Sequence, residues 1–200
     1  MKHQATLFTT PVLRPAMRWL SRGYLRLCGW KLEGSLPPEA QRCVMIAAPH
    51  TSNWDMPYML MAGFAFKLQV RWMGKASIFR WPWGPLMRWL GGIAVHRDAR
   101  SNLVASSVEA LKNAPGPLQL LIAPEGTRGL VREWKTGFYR IAQGAGLPIV
   151  PTYLDFGGKR IGLGPVFWPS GDLEADIAQL RAFYAPYKGL REALFHQDGA

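Results

Sequence analysis

The stretch Cys43-Val44-Met45-Ile46-Ala47-Ala48-Pro49-His50-Thr51-Ser52-Asn53-Trp54-Asp55 carries the reading of the fold. Apolar residues run unbroken from Cys43 to Ala48, and Pro49 ends them. A short apolar run closed by a breaker is the pattern of a strand covered on both faces. Small polar residues follow, and Asp55 opens the apolar stretch from Met56 to Phe66. A helix is expected there, capped by Ser52 or Thr51, with Asp55 in its first turn.

Outward from this handover, strands and helices continue to alternate. Leu118 to Ala123, Leu147 to Leu154 and Ile161 to Trp168 read as further strands. Helical patterns lie between and after them, from about Asn102 to Asn113 and from Thr136 to Ala145. Another starts near Asp172, with Leu173, Ile177, Leu180 and Tyr184 on one face. The alternation predicts an α/β fold, a central mixed sheet flanked by helices, with its chemistry in loops at strand ends. The segment from Arg71 to Gly92 is dense in Trp, Arg, Gly and Pro, and reads as short helical pieces and turns near the mouth of the site.

The N-terminal part differs. From Val12 to Trp30 the pattern is helical, with Arg14, Arg18, Arg22 and Arg26 along one side. Leu13, Met17, Leu20, Tyr24 and Leu27 fall on another. A basic stripe opposite an apolar one predicts an amphipathic helix lying in an anionic membrane surface. The chain is therefore divided into an interfacial helical segment, residues 1–30, and an α/β domain, residues 31–200.

Composition bears on partners. The 200 residues are 48% hydrophobic, enough for one sizeable core. A formal net charge of +11 calls for a negatively charged partner. The nine Trp residues favour a membrane over nucleic acid, because indole prefers the headgroup layer and Trp sits beside Arg in Arg71-Trp72, Arg80-Trp81 and Arg88-Trp89. No nucleic-acid motif is present. The longest near-apolar stretch, Met56 to Phe66, has 11 residues, whereas a span needs about 20. Peripheral contact, at the cytoplasmic face of the cell membrane, is the expectation. Cys28 and Cys43 have no metal-type spacing and read as free thiols.

Four blocks carry chemistry. His50 sits where a strand hands over to a helix, and a turn there can fold Asp55 back onto it. A histidine held by a carboxylate is a general base at neutral pH, and no serine or cysteine is needed if the substrate brings its own hydroxyl. The second block is Ile122-Ala123-Pro124-Glu125-Gly126-Thr127-Arg128, a Gly-containing strand-end loop whose arginine suits phosphate. Within it Glu125 has two open readings, a hold on the arginine or on an acceptor's hydroxyl. The third is Gly91-Gly92-Ile93-Ala94-Val95-His96-Arg97, and the fourth is Leu147-Pro148-Ile149-Val150-Pro151.

In this order and at these separations the blocks resemble the glycerolipid acyltransferase family, best known for the 1-acylglycerol-3-phosphate acyltransferases. The resemblance runs from about Met45 to Thr152 and extends to Lys135-Thr136-Gly137-Phe138. It implies that His50 is the base and Asp55 its orienting partner. It implies that Arg97, Glu125, Gly126, Thr127 and Arg128 bind the acceptor, the arginines on its phosphate, and that Lys75 helps hold an anionic substrate. The implied reaction moves an acyl group from a thioester donor, acyl-CoA or acyl carrier protein, onto a lysophospholipid hydroxyl, without metal or bound cofactor. A different lyso-lipid or glycolipid acceptor, or non-catalytic lipid binding, are the alternatives. His96 departs from the family pattern, which often has an acidic residue there.

Overall fold

The computed structural model describes residues 5–95 and 100–195. Seven strands form one sheet: β1 (Lys31–Glu33), β2 (Arg42–Ala48), β3 (Val70–Lys75), β4 (Gly92–Val95), β5 (Leu118–Ile122), β6 (Ile149–Asp155) and β7 (Arg160–Leu163). Among the described residues six α-helices accompany them: α1 (Leu13–Leu27), α2 (Asp55–Ala65), α3 (Gly84–Trp89), α4 (Arg100–Lys112), α5 (Gly137–Ala145) and α6 (Leu173–Tyr184).

The sheet order is β1-β7-β6-β2-β5-β3-β4. Only β6 and β7 pair antiparallel, through a short hairpin, so the sheet is mixed as expected. β2 lies at the centre with Ile46 opposite Ile122 of β5 and Pro151 of β6. Because β2, β3, β4 and β5 run parallel, their carboxyl ends share one edge, where the blocks around His50 and Glu125 lie; the fourth block, Leu147 to Pro151, opens β6 at the other end of the sheet, with Ile149 beside Val44.

Alternation along β2 builds two cores. Val44, Ile46 and Ala48 face a cluster with Leu120, Phe138, Ile141, Ile149, Leu180 and Tyr184, roofed by α4, α5 and α6. Cys43 and Met45 face the opposite cluster with Phe8, Phe64, Val70, Trp72 and Phe79, roofed by α1, α2 and the β3–β4 connection. Both faces of the strand are covered, so its sequence shows no polar alternation to mark them.

Several expectations shift. The segment from Arg71 to Gly92, read as helical pieces and turns, contributes most of β3 as well as α3. Val70 and Trp72 of β3 are buried while Arg71 and Met73 are partly covered, so the strand period is present but hidden by long side chains. The run from Ile161 to Trp168 is strand only as far as Leu163; beyond it Phe167 makes one isolated bridge to Ile149. Asp172 caps α6, its carboxylate accepting the Ala175 N–H at 3.1 Å, and Gly146, at φ 66°, closes α5 in the left-handed region.

α1 packs against α2, and its basic stripe is not all turned to solvent. Four residues turn a helix by about 400°, so a repeat of four drifts round it. Arg14 lies inward and donates from Nη2 to the Lys67 carbonyl at 3.0 Å, at the end of α2. Arg18 is also turned inward, with Nε buried. Arg22 and Arg26 are exposed. Leu13 and Met17 join the core beside α2, whereas Trp19, Leu20, Tyr24 and Leu27 face outward.

Candidate active site

The site begins at the end of β2. Beyond Ala48 the chain turns sharply, and Asp55, the first residue of α2, folds back over that turn. Its Oδ2 accepts the backbone N–H of Thr51 and of Ser52, each at 2.9 Å, and stands 3.0 Å from His50 Nδ1. The expected capping is thus reversed. Neither Ser52 nor Thr51 caps α2; the Asp55 carboxylate takes the turn's orphan amides, and Ser52 Oγ accepts the Trp54 N–H at 3.1 Å.

This arrangement fixes the imidazole. A carboxylate oxygen already holding two N–H groups is a pure acceptor, so the proton between the pair sits on Nδ1. Nε2 is the ring nitrogen that Asp55 does not engage. The Asp55 side chain is 9% exposed and the His50 side chain 29%, so the partner is enclosed while the ring remains reachable.

The loop after β5 meets this turn from the neighbouring strand. Glu125 is only 4% exposed, and its Oε1 accepts the His50 backbone N–H at 3.0 Å. Burial pushes its carboxyl above the ordinary carboxylate range, against the downward pull of that N–H. Its second oxygen is buried too, so the side chain points into the protein beneath His50. The reading of Glu125 as a hold on the arginine does not describe this: it grips the His50 backbone, and Arg128 turns to Asn53. Arg128 is exposed and donates from Nη1 to Asn53 Oδ1. The two loops are therefore joined twice, once below His50 and once at the surface.

Gly126 adopts φ 63°, and a Cβ there would lie 2.2 Å from Lys135 Nζ. Glycine suits the left-handed backbone angle, and the flexible end of the lysine lies across it. Lys135 in turn donates its backbone N–H to the Pro124 carbonyl at 2.9 Å. Thr127 is exposed, its Oγ accepting the Gly129 N–H at 3.3 Å. Lys75 ends β3, exposed on the same sheet edge. Arg97 lies outside the described residues, as does His96.

The structure thus unites His50, Asp55 and Glu125, sets Gly126, Thr127 and Arg128 at the rim, and puts Lys75 on the same edge. Sequence reasoning missed Asn53, the anchor of Arg128, because nothing local signals a contact 75 residues away. It also missed the amides of Thr51 and Ser52, which no side-chain pattern encodes.

Comparison with known proteins identifies the family. The acyltransferase family model matches residues 31–155. The 1-acyl-sn-glycerol-3-phosphate acyltransferase of Haemophilus influenzae is 27% identical over 169 residues, covering 80% of this chain and 67% of that protein. The enzyme of the same name from Escherichia coli is 27% identical over 144 residues, and the match spans 58% of its length. The crystal structure of the 1-acyl-sn-glycerophosphate acyltransferase from Thermotoga maritima superposes with a TM-score of 0.58 at 17% identity, covering 88% of this chain and 82% of that one. The two share the fold. A strand-end histidine clamped by the first residue of the next helix, within a matched segment from β1 to β6, means that this chain belongs to the glycerolipid acyltransferase family.

Proposed function

We propose that the protein transfers a fatty acyl group from a thioester donor, acyl-CoA or acyl carrier protein, to the free hydroxyl of 1-acylglycerol-3-phosphate, giving phosphatidic acid. The observation that carries this reading is the Asp55–His50 pair at the carboxyl edge of the sheet, Oδ2 standing 3.0 Å from Nδ1. The acceptor hydroxyl lies against Nε2, which removes its proton as the oxygen attacks the thioester carbonyl. The tetrahedral intermediate collapses, the carbon–sulfur bond breaks, and the departing thiolate takes the proton from the imidazolium. Asp55 stabilises that imidazolium and holds its orientation throughout. No metal or bound cofactor enters the scheme. Arg128, Arg97 and Lys75 supply positive charge for the acceptor phosphate, a planar guanidinium offering it a paired contact. Gly126 and Thr127 shape the loop beside it.

The same reading puts the protein peripherally on the cytoplasmic face of the cell membrane. Among the described residues no helix is long and apolar enough to cross a bilayer. Trp19, Leu20, Tyr24 and Leu27 of α1, Trp54 at the start of α2, and Trp81 and Trp83 before α3 are all exposed, and the elements bearing them cover one face of the sheet. Indoles and leucines beside arginines suit an anionic headgroup layer, and Trp54 sets that surface next to His50.

The test is thioester release with lysophosphatidate in mixed micelles. His50→Ala is expected to fold, bind vesicles and lose at least about 100-fold in turnover, the lower end for general base catalysis. Turnover within a few-fold of the parent would remove His50 from the role. Activity confined to lyso-lipids without a phosphate monoester would shift the acceptor to another class.

A further inference from the structure

The segment after α6 reaches the His50 turn from the far side of the sheet. It is anchored first on the β6–β7 hairpin. Phe156 donates its N–H to the Lys188 carbonyl at 2.8 Å, and the Lys188 N–H is accepted by Asp155 Oδ1 at 3.1 Å. Tyr187 stacks on Tyr153, ring centroids 3.9 Å apart and planes within 10°. Asp155 is held in turn by Arg160 at 2.8 Å. From this footing the chain continues across Pro49 and Thr51. A Cβ on Gly189 would meet Thr51 Oγ1 at 2.5 Å and Pro49 Cβ at 3.2 Å, so the backbone lies directly on the turn. Two residues on, the Arg191 N–H donates to Thr51 Oγ1 at 3.2 Å. Thr51 is 1% exposed although it belongs to a surface loop.

These contacts form a relay of hydrogen bonds. Arg191 N–H holds the Thr51 hydroxyl, the Thr51 N–H holds Asp55 Oδ2, and Asp55 Oδ2 holds His50 Nδ1. We infer that residues 188–191 are a strap that sets the alignment of the Asp55–His50 pair, with Thr51 and Gly189 as its positioning residues. The physical ground is that a turn closed only by its own amides can shift by a fraction of an ångström, and a reacting group misplaced that far loses much of its rate advantage. Glu125 pins the His50 backbone from the β5 side; the strap pins Thr51 from the β6 side. The inference deepens the catalytic reading of His50 and rests on it for its kinetic effect, but not for its structural one.

Three variants test it. Thr51→Val keeps the shape and removes the hydroxyl acceptor; Thr51→Ser keeps the hydroxyl; Gly189→Val drives a branched side chain into Thr51. Two measurements are made on each full-length protein in detergent. The first is kcat and KM for donor and acceptor. The second is the low-field proton resonance of the imidazole Nδ1–H, assigned by its loss in Asp55→Asn. Thr51→Val is expected to lower kcat about tenfold with both KM values within twofold of the parent, and to broaden or shift the resonance upfield. Thr51→Ser is expected to restore both. Gly189→Val, if it folds, should match Thr51→Val; if it does not, the two Thr51 variants decide. Parental kcat and an unmoved resonance in Thr51→Val would overturn the strap. A perturbed resonance in a parent protein that transfers no acyl group to any lyso-lipid would overturn the catalytic reading and leave the strap standing.

Discussion

Glu125 and Arg128 are three residues apart in the chain and take opposite paths. Arg128 stays at the surface on Asn53, while Glu125 turns under His50 into a closed space. A carboxylic acid with a raised folded value leaves a definite trace in stability. In the unfolded chain the group ionises near its ordinary value of 4.5; in the folded protein, burial delays ionisation. Below the unfolded value both states hold the proton and nothing is lost. As pH rises above it, the unfolded state gains from ionising first, and folded stability falls until the buried group follows. Glu125→Gln keeps an oxygen for the His50 N–H and removes the ionisation. Its melting temperature relative to the parent is therefore expected to rise as pH goes from about 4 towards neutrality. A difference that stays constant over that range, measured by calorimetry, would show that the carboxyl ionises freely in the fold.

At the scale of elements, α1 shows how a repeat of four divides labour along one helix. Arg14 faces inward on the Lys67 carbonyl, so Arg14→Gln is expected to lower the melting temperature and leave vesicle binding nearly intact. Arg22 and Arg26 flank the outward Leu20, Tyr24 and Leu27. If this surface meets an anionic bilayer, each arginine contributes on the order of 1 kcal/mol. The double substitution Arg22→Gln with Arg26→Gln is then expected to weaken binding to anionic vesicles roughly 10- to 30-fold at low salt. The effect should shrink as salt screens the charges. Co-sedimentation across a salt series reads it, and equal binding of variant and parent at low salt would move the anchor to Trp81 and Trp83.

For the molecule as a whole, α6 is tied to the central strands by one hydroxyl. Tyr184 is fully buried; its oxygen donates to the Ile46 carbonyl at 2.7 Å and accepts the Thr152 N–H at 3.0 Å. That junction joins β2, β6 and α6 immediately below the His50 turn. Tyr184→Phe preserves the ring packing and takes the hydroxyl acceptor from the buried Thr152 N–H, while the Ile46 carbonyl keeps the Thr152 hydroxyl at 2.9 Å. A loss of about 1–3 kcal/mol is expected, read as a lower urea midpoint with an unchanged slope. An unaltered midpoint would mean that water or a local shift replaces the hydroxyl.

What could be read in the chain follows from the range of its signals. Apolar runs at Cys43–Ala48, Leu118–Ala123 and Leu147–Leu154 announce strands because a strand covered on both faces must be apolar throughout, a property of consecutive residues. The pairing of His50 with Asp55 was equally legible, since a helix that starts at residue 55 brings its first carboxylate back onto the preceding turn. β3 escaped because Arg71 and Trp72 mask its period, and only its place between β5 and β4 makes it a strand. The inward turn of Arg14, the grip of Glu125 on His50 and the Arg191–Thr51 contact were closed to sequence reading for one reason. They join residues separated by 53, 75 and 140 positions, and such contacts exist only once α1 has packed on α2 and the strands have brought their ends to a common edge. Residue type determined which chemistry this protein can hold; the sheet decided which of those groups face one another and which are turned inward to hold them.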